Sequence, residues 1–189
     1  ISLAVTTLFW GAGATLQFVV LAWAQDNLSL SLSHAAYLQG VVAIGIGVGA
    51  LAAGRWVRLH QAPGVLPLGV LMGACVPLLT LVHSVGVAAP LLATVGALAG
   101  FFVVPMNALL QHRGQQLLGA GESIAVQNFN ENLSVLAMLG AYAALQMTGW
   151  PLHRTVFALG TVVALGVLTI MWRYRLVGER RQLLEGEQT

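Results

Sequence analysis

The chain has 189 residues, 58% hydrophobic and 7% charged, with a formal net charge of +2. A soluble domain carries about a quarter charged residues, so the composition excludes one and predicts a polytopic α-helical membrane protein. The basic side chains are eight Arg and no Lys, set at the ends of apolar runs, which argues against nucleic-acid binding; the lone Cys75 rules out a disulfide within the chain.

Six membrane spans are predicted, about 3–24, 35–54, 65–82, 86–110, 122–146 and 151–172, in a bundle of residues 1–173 followed by a cytoplasmic tail, 174–189. The chain opens Ile1-Ser2-Leu3 without Met, and its first run is too long and too poor in basic residues for a signal peptide. It reads as a fragment whose N-terminal portion is absent. The first span carries one strong polar group, Gln17, and places Trp23 at the far interface. The second holds Gly45 and Gly49 at the GxxxG spacing of close helix pairs. A phosphate-loop reading of those glycines fails, because no strand precedes them. The third contains Pro67 and Pro77, and a kink is expected at Pro77. The fourth carries Gly96 and Gly100, then Pro105 and Asn107, and should give way to a loop at Gln111–Gly121. There Asn107 and Gln111 fit a helix-end cap or an inner gate. The sixth starts at Pro151 and closes on Trp172 and Tyr174.

Arg placement sets the orientation. Arg55, Arg58, Arg113, Arg173, Arg175, Arg180 and Arg181 fall on one side and only Arg154 on the other, so both ends are expected in the cytoplasm. Six helices with both ends inside is half of a twelve-helix transporter.

The fifth span is unlike the others. Between Ile124 and Ser134 it carries Gln127, Asn128, Asn130, Glu131, Asn132 and Ser134. Gln127 and Glu131 are four apart, as are Asn128 and Asn132, so each pair shares a helical face. Glu131 lies about 13 Å in from Glu122, near the middle of a bilayer core of ~30 Å. An acid there costs roughly 2.5–3.5 kcal/mol on insertion scales and marks a functional site by default; the alternative is an acid kept neutral in a helix seam. The candidate substrate-binding set is therefore Glu131, Gln127, Asn128, Asn132, Gln17 and Asn107. No acyltransferase box, Gly-x-Ser-x-Gly elbow or paired-carboxylate site is present, and the five His show no ligand spacing. No enzyme, cofactor or metal is expected.

Several strings carry a family resemblance. Leu8-Phe9-Trp10-Gly11-Ala12-Gly13-Ala14-Thr15-Leu16 resembles the seventh-helix segment of bacterial lysophospholipid transporters, members of the major facilitator superfamily. Val41 to Ala50 is similar to their eighth helix, and Gly100-Phe101-Phe102-Val103-Val104-Pro105-Met106-Asn107 to their tenth. Gly119-Ala120-Gly121, Ile124 to Asn128 and Glu131-Asn132 are similar to the following loop and eleventh helix. The likeness covers most of residues 5–145 and implies the C-terminal six-helix half of that fold. It further implies movement of lysophosphatidylethanolamine-type lipids from the outer to the inner leaflet of the bacterial inner membrane. A partner acyltransferase with acyl carrier protein synthetase activity would then re-acylate them. One departure is Gln17, where the family leads one to expect Arg. Two other functions fit the residues: a proton-linked exporter with Glu131 as proton carrier, and a non-transporting subunit that docks an acyltransferase.

Overall fold

The structure, a computed structural model, describes residues 2–186, with side chains described as far as Leu176. It is an all-α membrane protein. Six α-helices follow one another: α1 Ser2–Leu28, α2 Leu32–Trp56, α3 Leu66–Cys75, α4 Val85–Leu118, α5 Ala120–Met147 and α6 Leu152–Gly186. Short 3₁₀ segments, Leu59–Val65 and Val76–Leu81, flank α3, so that Leu59–Leu81 together span a membrane thickness. Among the described residues, five helical stretches are long and apolar enough to cross a bilayer. The one left out is α5, which has the length but carries the amide and acid run.

Lipid tails are as apolar as Leu, so hydrophobicity alone does not press these helices together; close backbone approach does. The second and fourth spans show this most clearly. Gly45 and Gly49 of α2 lie on the backbone of Ala93 and Ala97 in α4. Gly96 and Gly100 of α4 lie in turn on the backbone of Val42, Ile46 and Ala50 in α2. The two predicted GxxxG pairs therefore interlock with each other, and the order of contacts shows α2 and α4 running parallel. A second seam joins α3 to α6, where Gly73 meets Ala164 and Gly160 meets Pro77. A third sets the Phe102 ring against Gly69. Phe102 is fully buried, as are Leu92, Val95 and Met106 of the same helix.

Three local expectations change. Pro77 does not kink a continuous helix: α3 stops at Cys75, and Pro77 enters the first turn of a 3₁₀ segment, where its missing N–H leaves no bond unmade. The inner loop predicted at 111–121 is helical to Leu118 and reduces to Gly119, whose φ of +84° is accessible mainly to glycine. Asn107 therefore lies well inside α4 and is not a helix-end cap. Trp23 is 1% exposed and packs in the core, with its indole N–H unpartnered among the described residues, rather than marking the interface. The predicted tail lies partly outside the described residues, at 187–189; up to Gly186 the backbone continues α6.

Candidate functional site

A cavity of about 300 Å³ opens between α1, α2, α3, α4 and α6. Small residues make the room: Ala12, Gly13 and Ala14 on α1, Ala43 on α2, Gly96 and Ala99 on α4. The rest of its wall is almost wholly apolar, with Phe9, Trp10, Leu16, Ile46 and Met72 among the lining side chains, and none is charged. Its polar groups are Gln17 and Gln39. The Gln39 Nε2 donates to the Gln17 carbonyl oxygen at 2.6 Å, tying α2 to α1 beside the cavity. Along α1 the wall runs from Phe9 to Val20, roughly 16 Å at the helical rise. One α5 residue reaches this wall, Val135.

Glu131 is one helical turn before Val135. It is half-buried, and its Oε1 accepts a hydrogen bond from Gln127 Nε2 at 2.9 Å. Gln127 is 9% exposed and, with Ser123, forms the buried stripe of α5. Asn128 and Asn132 face outward. Asn132 Nδ2 donates to the Asn128 carbonyl at 2.7 Å, and Asn130 Nδ2 to that of Val126 at 2.8 Å, so these amides are partly spent on their own helix. The structure thus brings Gln127 and Glu131 together and leaves Asn128 and Asn132 on an open face.

Two glycine contacts set the level of Glu131 against its neighbours. At Gly11 of α1 a methyl group would strike Ser134 and Met138 of α5, and at Gly114 of α4 it would strike Ser123. Thr7 precedes Gly11 by one turn, and Asn107 precedes Gly114 by two turns, so each lies on the face of its helix that meets α5. From those crossing points Thr7, Asn107 and Glu131 come to one depth within about 2 Å along the helix axes. Thr7 Oγ1 and Asn107 Oδ1 are both buried, and neither has a hydrogen-bond partner among the described residues. Such groups are uncommon in folded proteins, because each forfeits its solvation. Gln17, by contrast, stands nine residues beyond the level of Leu8, about 13 Å from the acid along α1. It belongs to the cavity and not to the acid's polar layer.

Sequence reasoning overlooked Gln39 and Thr7. Gln39 is the lone amide of the second span, a signal masked by the glycine run beside it. Thr7 carries no signal: Thr commonly bonds its own helix, as Thr6 and Thr15 do here, and only packing shows that Thr7 does not.

No family model and no solved structure matches the chain. Curated relatives do. It is 45% identical over 172 residues to a protein of Shigella flexneri named Lysophospholipid transporter LplT, covering 90% of this chain and 43% of that protein. Proteins of the same name in Salmonella arizonae and Escherichia coli O9:H4 are 44% and 45% identical over 176 and 172 residues. Over nine tenths of its length the chain is similar to proteins named as lysophospholipid transporters. It spans less than half the length of the family members it matches, 43% or 44%. The sequence strings quoted above fall on identifiable elements of this fold: the seventh-helix-like string on α1, the tenth-helix-like string on α4, and the eleventh-helix-like string on the amide-rich α5.

Proposed function

We propose that this chain is the C-terminal six-helix half of a major facilitator transporter, one that moves lysophospholipids from the outer to the inner leaflet of the bacterial inner membrane. It acts as a transporter and not as an enzyme; a partner acyltransferase re-acylates the lipid on the cytoplasmic side, where the Arg-rich segments lie. The observation that carries this reading is the division of the site. A charge-free apolar cavity takes the single acyl chain, and one turn from its wall the Glu131 carboxylate accepts a hydrogen bond from the Gln127 amide. A lysolipid needs both halves: apolar surface for the tail and a few fixed polar groups for a zwitterionic head.

In this reading the Glu131 carboxylate faces the ethanolamine ammonium, and Gln127 holds that carboxylate in place. Asn107 and Thr7 meet the glycerol hydroxyl and the phosphate, while Asn128 and Asn132 line the path toward the other half of the protein. Gln17 and Gln39 close the cavity beyond the tail. A carboxylate contact to a cationic head is a charge-assisted interaction, worth about 1.5–3 kcal/mol when protected from water.

The test is uptake of lysophosphatidylethanolamine into vesicles carrying the full-length protein with Glu131→Gln. Uptake should fall at least tenfold at limiting substrate, about 1.4 kcal/mol, with less effect on a lysolipid whose head lacks the ammonium. Unchanged uptake and unchanged head-group preference would reject the assignment.

A further inference from the structure

A second concavity lies where the chain turns from α5 into α6. It encloses about 370 Å³ and is walled by Thr80, Trp150, His153, Arg154, Phe157 and Ala158. The Arg154 guanidinium carbon is 5.8 Å from the centre of the Trp150 ring, within cation–π range, so the cation rests over an aromatic face. None of the lining side chains is acidic, so the guanidinium has no counter-charge inside the groove.

Two further features point the same way. The N–H groups of Arg154 and Thr155 both donate to the Pro151 carbonyl, which leaves those of Leu152 and His153 at the start of α6 without a partner in the helix. A helix start of this kind favours an anion. The Thr80 hydroxyl is already spent on the Pro77 carbonyl at 2.7 Å, so Thr80 serves as wall and not as donor. Beneath the cation the surface turns apolar. Phe157 and Ala158, three and four residues after Arg154 and on its face of α6, are both exposed. A cation, an imidazole and a helix start above an apolar strip form a headgroup site with a tail path attached.

We propose that this groove binds the phosphate of a membrane phospholipid at the outer boundary of the bilayer, with one acyl chain laid along Phe157 and Ala158. The site is separate from the cavity and acid described above. It rests on the chain lying in a bilayer and not on the transport reading, so either can fail without the other.

The test uses the full-length protein in vesicles and reads the fluorescence contributed by Trp150, taken as the difference between the parent and Trp150→Phe. Quenching is compared for phosphatidylethanolamine and diacylglycerol carrying the same brominated chains. The phospholipid should quench at a severalfold lower mole fraction, because only it offers the guanidinium a phosphate. Arg154→Gln should abolish that preference and Arg154→Lys should keep most of it. Equal quenching by the two lipids in the parent, or a preference that survives in Arg154→Gln, overturns the proposal. Loss of the preference in millimolar inorganic phosphate would show a free-anion site and overturn the lipid assignment; persistence supports it.

Discussion

Gly49→Ala should loosen the bundle, whereas Gly47→Ala, two residues away on the same helix, should not. A methyl group on Gly49 would lie 2.8 Å from the Ala97 carbonyl carbon and 2.9 Å from its Cα, and closer still to the carbonyl oxygen. Ordinary contact begins at 3.4 Å, so α2 and α4 must part by at least 3.4 − 2.8 = 0.6 Å. The obstacle is backbone, and no rotamer can relieve it. A gap of that size forfeits roughly a quarter of the dispersion energy along the seam, and overpacking of this kind costs about 1–3 kcal/mol. A methyl on Gly47 meets nothing within 4 Å, so that substitution changes only helix propensity, a gain of up to about 1 kcal/mol. The assay is unfolding of the full-length protein in mild detergent by added dodecyl sulfate, followed by far-ultraviolet circular dichroism. The Gly49→Ala midpoint should move to lower denaturant and that of Gly47→Ala should hold or rise. Equal shifts for the two variants would refute the argument from close backbone approach.

Three further outcomes can be read with the same material. Gly11→Val should cost about 1–3 kcal/mol by driving α1 from the Ser134 backbone, 2.9 Å from the new Cβ, while Gly13→Ala, with open space around it, should be neutral. Asn107→Leu should leave the unfolding midpoint unchanged or raise it, because it removes a buried oxygen that has no partner among the described residues, yet lower lysolipid uptake severalfold; a loss of stability with normal uptake would mark Asn107 as purely structural. Phe102→Ala should be the most damaging of the set, at about 3–5 kcal/mol, since it empties a fully buried ring position over Gly69; a cost below about 1 kcal/mol would show that the site collapses freely.

What was legible in the sequence was what depends on local pattern. The apolar runs, the glycine spacing in the second and fourth spans and the isolated acid can each be read without knowing what packs on what. That the two glycine pairs engage each other, not two different partners, is a property of packing alone. The inner loop was misread for a related reason. Residues 111–116 are polar apart from Gly114, and polarity argues against lipid but not against helix, so α4 simply continues past the expected bilayer edge. Trp23 was misplaced because an aromatic near a span end fits an interface belt as well as a core. The polar layer at Thr7, Asn107 and Glu131 was half visible, since the register between α1, α4 and α5 comes only from where Gly11 and Gly114 touch α5.

The position of α5 bears most directly on the proposed half-transporter. Among its residues only Ser123 and Gln127 are buried, and both lie toward its N-terminal end. The open face carries Asn128 and Asn132 together with Phe129, Leu133 and Leu136, which no surface in contact with hydrocarbon alone would favour. An amide whose N–H is bonded to its own helix still keeps an acceptor and a second donor. Facing lipid, each such group would forgo hydrogen bonds worth several kcal/mol in a medium that offers none. Facing a water-filled cleft between two helical bundles, the same groups cost little, and the adjacent aromatic and Leu side chains supply the apolar surface against which a second bundle or a passing acyl chain can close. The face left bare in α5 is therefore the one a translocation path requires. On the proposed half-transporter reading, the helix that fails the apolarity expected of a membrane span does so because one side of it faces the cleft rather than lipid.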